Sequence, residues 1–276
     1  MKMANEPAEF LRQIGEEGSD PLDIAGVALM LAALDHRGRP LEPYRAHLDP
    51  IAESARVEAK RCATAEDGAR ALASLLAGRH GYDGDRLGYD DPQNADLIAV
   101  IDRRRGLPVA LGVLYIHAAR AAGFQAAGLN IPEHFLLRIA LRASEALIDP
   151  FNGGAVLERD GLGTPLVMGL SSGGVEMVPA EPVGDIEVLL RLENNLKLRA
   201  IQNGERSRAL EIAKRMVLIA PRRPELWLDL GRLNESVGAL GAATKAFEAC
   251  LSLVPSGYPL HNEAALGLHM LKRRLN

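Results

Sequence analysis

The chain has 276 residues, and its 32 lysines and arginines against 36 aspartates and glutamates give a formal net charge of −4. This mildly acidic balance argues against a nucleic-acid partner, and two cysteines are too few for a disulfide framework or a cysteine-rich zinc site. The first residues lack an apolar leader, and the longest charge-free apolar stretch, residues 106–119, is shorter than the ~20 residues of a membrane span. We therefore expect a cytoplasmic globular protein without a membrane partner.

Residues 1–80 are predicted to be helical, because apolar residues recur at three- and four-residue spacing through alanine-rich stretches. A loop rich in glycine and aspartate follows over residues 78–91. Next, an apolar helix is predicted from Pro108 to Ala122, and Gly123 is well suited to end it.

Two short apolar runs, residues 135–142 and 146–151, flank a polar break and predict a β-hairpin. A helix followed by a hairpin indicates an α+β domain. Residues 153–185 contain many glycines and prolines, so we expect them to be irregular or partly stranded.

The C-terminal residues contain an internal repeat, because Ile-Ala-Pro221 and Leu-Val-Pro255 lie 34 residues apart. That spacing is the period of the tetratricopeptide repeat, TPR. The second unit carries the residues of the TPR template at Trp227, Leu230, Gly231, Gly238, Ala243, Phe247 and Pro255, with Asn234 where an aromatic residue is usual. Two repeats on their own rarely bury the apolar faces of their helices. We therefore expect a capping helix over residues 260–275 and docking of the repeats on the preceding domain.

Four further motifs lie in the middle of the chain. They are Asp91-Pro-Gln-Asn94, Arg103-Arg-Arg-Gly-Leu-Pro108, Gly128-Leu-Asn-Ile-Pro-Glu-His134-Phe-Leu-Leu-Arg138 and Asp149-Pro-Phe-Asn-Gly153. Together with the repeat they resemble the bacterial invasion-regulator (SirB-type) family. The resemblance implies a papain/transglutaminase-like α+β domain over residues 1–185, with a helical segment over residues 1–80 and the α+β core over residues 81–185. All-α TPR helices, docked on that core, would occupy residues 186–276.

The transglutaminase-like superfamily works with a Cys-His-Asp triad whose cysteine begins a helix. A helix N-terminus stabilises a thiolate, and an imidazole oriented by a carboxylate accepts its proton. The resemblance places Pro108 at the nucleophile position, His134 at the base position and Asp149 at the carboxylate position. Proline has no sulfur, hydroxyl or proton to offer, so the acyl-enzyme route cannot start there. Pairing across the hairpin would bring His134 and Asp149 together, as a polar pocket or as a structural hydrogen bond.

No convincing substitute nucleophile is evident. Cys62 and Cys250 are expected to be buried small hydrophobic residues, and Ser144 lies at the far end of the hairpin. Asn94 and Glu133 are further candidate binding residues, and Glu133 adds a carboxylate beside His134 where glycine is more common in the family. His134, Asp149 and Glu133 lack a recognisable metal-ligand spacing, so we expect neither a metal nor another cofactor.

The repeat offers a second candidate site. In TPR proteins the first helix of each pair lines a groove that takes peptides. By position in the repeat, five polar residues would face it, namely Arg191, Asn194, Gln202, Arg232 and Glu235. Alternatively, these five residues lie on a solvated surface or on a face that docks on the core domain. The run Arg103-Arg104-Arg105 is expected to be a solvated loop.

These observations favour a catalytically inactive transglutaminase-like/TPR protein that binds a protein or peptide partner or regulates it. The alternative is a cysteine-type hydrolase or acyltransferase in which a displaced nucleophile acts with His134 and Asp149. A purely structural role in a larger assembly is a third possibility.

Overall fold

The computed structural model describes residues 6–18, 20–131, 134–157, 166–171, 174–179 and 181–275. These residues form two compact units. One comprises residues 20–192, and the other comprises residues 6–18 together with 193–275. The predicted α+β fold class is confirmed, because helices and a small antiparallel sheet are followed by a region made of helices alone.

The N-terminal region is helical, as predicted. Its helices are α1 (Glu6–Glu17), α2 (Ile24–Ala33), α3 (Glu42–Ala59) and α4 (Ala65–Ala73), and a π-helical turn, Ser74–Arg79, extends α4. Side chains fix two of the starts. Asp23 accepts a hydrogen bond from the backbone of Gly26 at 3.1 Å, and Thr64 and Asp67 form a capping box at α4.

Two short parallel strands precede the central helix. The elements here are β1 (Asp83–Gly84), a 3-10 turn (Pro92–Ala95), α5 (Leu97–Arg103), β2 (Arg105–Gly106) and α6 (Pro108–Ala121). The predicted apolar helix is thus confirmed as α6. Gly123 follows it with a φ of +86°, a left-handed conformation that glycine adopts without strain.

The main sheet has five antiparallel strands. Its strands are β3 (Gln125–Ile131), β4 (His134–Leu141), β5 (Ser144–Asp149), β6 (Ala155–Leu157) and β9 (Pro182–Val183), in the order β6-β5-β4-β3-β9. A separate hairpin is formed by β7 (Leu166–Ser171) and β8 (Gly174–Pro179). The predicted hairpin is confirmed as β4 and β5, with Leu141 opposite Ser144. The described portion of residues 153–185 is partly stranded, as expected.

Helix α6 packs closely on this sheet. Phe135 of β4 is fully buried, and its ring meets Gly112 of α6 and Gly128 of β3. A Cβ atom at Gly128 would lie 2.9 Å from the ring, and one at Gly112 would lie still closer. Small residues therefore allow the helix and the sheet to approach each other, and this contact fixes the start of β4 relative to α6.

The second unit contains the repeat helices. They are α7 (Asp185–Gln202), which begins in the first unit, α8 (Arg206–Ile219), α9 (Pro224–Ser236), α10 (Leu240–Leu253) and α11 (Pro259–Leu275). Gly231 of α9 lies against Phe247 of α10, where a Cβ atom would be 2.5 Å from the ring. The predicted capping helix is present as α11. Helix α1 belongs to the same unit, with Gly15 lying against the carbonyl oxygen of Leu218.

Candidate functional site

The turn before α6 is built from backbone contacts. The register of β1 and β2 places Gly84 beside Gly106, and the N–H of Leu107 donates to the carbonyl oxygen of Asn94 at 2.8 Å. Leu107 is the N-cap, and Pro108 is the first residue of α6. Proline is favourable at this position because its missing N–H has no partner within the helix.

Asn94 lies directly behind this turn and is fully buried. Its Nδ2 donates to the carbonyl oxygen of Gly88 at 2.7 Å, and its Oδ1 accepts from Nη1 of Arg103 at 3.2 Å. Arg103 also pairs with Asp85 at 2.9 Å. Both ends of the Asn94 amide are therefore engaged within the protein, where they hold the loop that leads to Pro108.

The structure brings His134 and Asp149 together. Nε2 of His134 lies 3.3 Å from Oδ2 of Asp149. His134 begins β4 and Asp149 ends β5, and two residues of offset along the hairpin leave both on one face of the sheet. The His134 side chain is 40% exposed and the Asp149 side chain 6%. The pair is thus a buried carboxylate covered by a partly open imidazole.

Asp149 is held ionised by its surroundings. It accepts from the backbone of Phe151 at 3.0 Å and from Nδ2 of Asn152 at 2.7 Å. Burial opposes the charged form, but the hydrogen bonds from His134 and Asn152 outweigh burial and lower the pKa of Asp149. The ionised carboxylate can therefore orient the imidazole of His134.

Tyr115 is a buried polar residue that sequence reasoning missed. It lies seven residues, or two turns, after Pro108, and so on the same side of α6. Its hydroxyl has no hydrogen-bond partner among the described residues and faces the loop at Gly154. Burial, followed by the charges of Asp83 and Asp149, raises the pKa of Tyr115. The hydroxyl therefore stays protonated, and it lies near enough to Asp83 and Asp149 for their charges to act on it.

Neither thiol has the environment of a nucleophile. Sγ of Cys62 donates to the carbonyl oxygen of Glu58 at 3.4 Å. Burial, followed by the charges of Asp67 and Glu58, raises the pKa of Cys62. Cys250 is fully buried in the core of the second unit, and burial also raises its pKa. Both cysteines therefore stay protonated at neutral pH, whereas catalysis needs the thiolate.

Arg191, predicted on the TPR groove, contacts the sheet. Its Nη2 donates to the carbonyl oxygen of His134 at 2.6 Å, and its guanidinium lies 5.4 Å from the ring centre of Phe135. It thereby braces the first residues of β4. Asn194 is half-buried and Gln202 is exposed. Glu133 lies outside the described residues.

The other two predicted groove residues form ion pairs with α11. Arg232 pairs with Glu263, and Glu235 pairs with Arg274 at 2.8 Å. Within the described ranges, no group of three His, Cys, Asp or Glu side chains could hold a metal ion. Likewise, no helix in those ranges combines the length and apolarity needed to cross a membrane.

Apolar residues at equivalent repeat positions were also missed. Counting in steps of 34 residues from Arg232 leads back to Leu198 and forward to Leu266. Leu198 is 47% exposed and Leu266 63%, and Ile201 and Met270, one turn further along the same helices, are similarly exposed. The first helices of successive units therefore present apolar side chains on both sides of the charged residues of α9.

Comparison with known sequences defines the class of protein. The model of the transglutaminase-like superfamily matches residues 42–194, more than half of the chain. The model of the tetratricopeptide repeat matches residues 196–276. The chain belongs to the transglutaminase-like superfamily, and its core is joined to C-terminal TPR helices.

Three similar proteins match different shares of the chain. The chain is similar to a UPF0162 protein of Xylella fastidiosa (strain Temecula1 / ATCC 700964), at 27% identity over 241 residues and 86% of each chain. A UPF0162 protein of Haemophilus influenzae is 27% identical over 179 residues, which cover 64% of this chain and 66% of that one. Human F-box only protein 21 is 35% identical over 71 residues, 26% of this chain and 11% of that protein.

Proposed function

We propose that this protein is a non-catalytic binding or regulatory module, in which a transglutaminase-like core without thiol chemistry accompanies TPR helices that bind a partner protein. The observation that carries the proposal is Pro108 as the first residue of α6. In the parent chemistry a thiolate attacks from this position. A proline ring there leaves His134 without a nucleophile to deprotonate.

The retained pair still offers a polar site. His134 is partly exposed above a buried, ionised Asp149, and Tyr115 supplies a protonated hydroxyl nearby. Such a pair can orient a polar group of a ligand without forming a covalent bond to it. We assign His134 and Asp149 to ligand orientation, and Asn94 and Arg191 to the support of the surrounding loop and strand.

The TPR surface supplies the proposed protein contact. Exposed leucines at equivalent positions of α7 and α11 flank the ion pairs of α9. Apolar side chains beside charged ones suit a peptide segment that has an apolar stripe and charged ends. Gln202 and Asn194 would extend this surface along α7.

The alternative is a cysteine-type hydrolase or acyltransferase with a displaced nucleophile. It is favoured by the 3.3 Å contact between His134 and Asp149, which a relic has no need to keep. Cys62 would then have to act as the nucleophile. Its raised pKa and its bond to Glu58 support the non-catalytic proposal instead.

A thiol probe separates the two. We expect iodoacetamide to alkylate Cys62 slowly at pH 7.5 in the native protein, at a rate that His134→Ala leaves unchanged. Cys62→Ser provides the background from Cys250, and alkylation of the unfolded chain provides the upper limit. Fast native alkylation that His134→Ala slows tenfold or more would overturn the non-catalytic proposal.

Peptide selection tests the TPR surface. Peptides selected from a random display library against the folded chain should bind roughly tenfold more weakly to Leu266→Glu, because truncating an apolar anchor is costly. Leu253→Glu is the matched control, since Leu253 is also exposed but lies on α10. Equal binding to both variants would place the contact elsewhere.

We further infer membership of the SirB-type family and a cytoplasmic location. The first inference is supported by the motifs around Pro108, His134 and Asp149, in combination with the repeat. The second is supported by two unpaired cysteines, the usual state of thiols in a reducing compartment.

A further inference from the structure

Arg104 has an unusual backbone for a charged residue. It ends α5 in the left-handed conformation, with a φ of 59°. Residues other than glycine adopt this conformation at a cost, so surrounding contacts must hold it. The guanidinium lies 4.7 Å from the ring centre of Tyr82, and Nη1 donates to Tyr82 Oη and, at 2.6 Å, to Nε2 of His47.

The contacts of Arg104 are all with neutral groups. Tyr82 is fully buried, and burial raises its pKa to about 12. His47 accepts through Nε2, so it is unprotonated at that atom. Among the described residues no carboxylate pairs with Arg104, whereas Arg103 pairs with Asp85 and Arg79 with Glu58. Arg104 is therefore a fixed positive charge without a counter-ion.

One edge of this guanidinium makes no hydrogen bond among the described residues. Both hydrogen bonds use Nη1, and within the described ranges Nε and Nη2 have no partner. This is the edge that binds two oxygens of a carboxylate or phosphate side by side. Stacking on Tyr82 and the bond to His47 fix the plane of the guanidinium, so this edge has a defined direction.

Two imidazoles lie beside the charge. The rings of His47 and His80 meet edge to face, with centroids 5.7 Å apart. Within the described residues the imidazole of His80 has no hydrogen-bond partner, whereas its backbone N–H donates to the carbonyl oxygen of Leu75. Burial lowers the pKa of His47 to about 4, with further contributions from Arg104 and His80. Burial, followed by Arg104 and Arg79, likewise lowers the pKa of His80.

The nearby acidic groups are already engaged. Asp102, which lies close enough to act on Tyr82, pairs with Arg39 at 2.7 Å and accepts from Tyr44. Glu58 pairs with Arg79 at 2.6 Å. The charged groups that act on the two histidines are thus the positive Arg104 and Arg79. A bound anion would supply the missing negative charge.

We propose that Arg104, His80 and the adjacent Arg105 form a binding site for a small tetrahedral oxyanion, either free phosphate or the phosphate group of a small molecule. Arg104 would bind two oxygens through Nε and Nη2, while His80 would donate to a third. Arg105 uses Nη1 for the carbonyl oxygens of Gly81 and Arg104, which leaves its other donors for the anion. The proposal does not depend on the TPR surface or on thiol chemistry.

Calorimetric titration of the full chain with sodium phosphate, at pH 7.0 and constant ionic strength in chloride, tests the site. We expect saturable binding that Arg104→Gln weakens at least tenfold, because charge-assisted bidentate bonds are lost. His80→Gln should weaken binding severalfold. Arg70→Gln is the matched control, since Arg70 is an exposed arginine of α4 whose partner is Glu66, and it should bind like the wild type.

The proposal is overturned if the wild type shows no saturable binding, or if Arg104→Gln binds phosphate as tightly as the wild type. It is also overturned if acetate binds as tightly as phosphate, because the site would then have no preference for tetrahedral anions. If circular dichroism shows that Arg104→Gln is unfolded, His80→Gln becomes the test variant, and unchanged phosphate affinity in folded His80→Gln refutes the site. Glycerol phosphate distinguishes the two sources. Tighter binding than of free phosphate supports a phosphate monoester, and weaker binding supports the free anion.

Proton linkage gives an independent readout. A bound phosphate should raise the pKa of His80, because a nearby negative charge favours the protonated imidazole. Titration of the His80 ring signal by NMR, with and without saturating phosphate, measures this directly. Phosphate binding that leaves the His80 pKa unchanged would place the anion elsewhere.

Discussion

Pro108 occupies the first turn of α6 at little structural cost, since neither its ring nor its missing N–H disturbs a helix start. If Pro108 stands at the nucleophile position, as the resemblance implies, the triad chemistry would need a sulfur atom that proline lacks. The helix start is kept in place by the bond from Leu107 to Asn94. A cysteine introduced here would therefore meet an intact helix N-terminus.

Pro108→Cys should create a thiol that reacts with iodoacetamide faster than Cys62 does. The partial positive charge at the start of α6 stabilises a thiolate, whereas burial raises the pKa of Cys62. In the Cys62→Ser background, adding His134→Ala should slow the new thiol several-fold. A slow Pro108→Cys thiol, indifferent to His134, would contradict the proposed equivalence of Pro108 with the nucleophile position.

Asp149 should make the stability of the protein depend on acidic pH. Because its pKa is lowered in the folded state, it binds fewer protons there than in the unfolded chain. Its contribution is complete above the unfolded pKa of about 3.9 and is lost as the pH falls through the lower, folded value. Urea unfolding between pH 2 and 6 should show a shallower decline in Asp149→Asn. An identical decline would mean that other carboxylates dominate acid unfolding.

At the scale of elements, the sequence predicted those helices and strands whose ends are set by neighbouring residues. Helix α6 and the β4–β5 hairpin follow from apolar runs bounded by proline, glycine and polar breaks. Strand β3 was missed because its Gln125-Ala-Ala-Gly128 start has weak strand preference. Its pairing with β4 overrides that preference, and no single segment reveals such a partner.

The sequence predicted one contact of the candidate site and missed the other features. The contact of His134 with Asp149 follows from the hairpin and the family motifs. Tyr115 was missed because an aromatic residue in an apolar helix usually means core packing. The cluster at Arg104 depends on a left-handed residue after α5 and on side chains from three separate segments, which sequence spacing does not bring together.

Gly112→Ala should destabilise the protein by about 1–3 kcal/mol, since the added methyl group overlaps the ring of Phe135. This loss exceeds the gain in helix preference, which is at most about 1 kcal/mol. Gly241→Ala in α10 is the matched control, because a Cβ atom there meets nothing within 4 Å. It should be neutral or stabilising in urea unfolding. Similar losses in both variants would argue against a tight contact between α6 and β4.

At the scale of the whole molecule, the chain does not divide at one point. Helix α1 lies at the start of the sequence but belongs to the compact unit formed by residues 193–275. The family resemblance implies a transglutaminase-like domain over residues 1–185, and that boundary stays a prediction. Helical periodicity shows that α1 has an apolar face, but it does not show which distant helix covers that face.

Gly15→Ala should destabilise the helical unit, because the new methyl group would overlap the carbonyl oxygen of Leu218 and push α1 off α8. We expect a loss of about 1–3 kcal/mol, seen by calorimetry as a lower melting temperature. Gln13→Ala alters the exposed side of the same helix and should have little effect. If the two variants melt alike, α1 adds little to the unit.

The ion pairs between α9 and α11, Arg232 with Glu263 and Glu235 with Arg274, lie on an exposed surface. Exposed pairs of this kind are worth at most about 1 kcal/mol each. A charged partner chain can therefore replace these intramolecular ion pairs with intermolecular ones at a small cost in free energy. The rate of association through these helices should increase at low ionic strength and decrease at high salt concentration. Salt should therefore change the association rate more than it changes the stability of the fold.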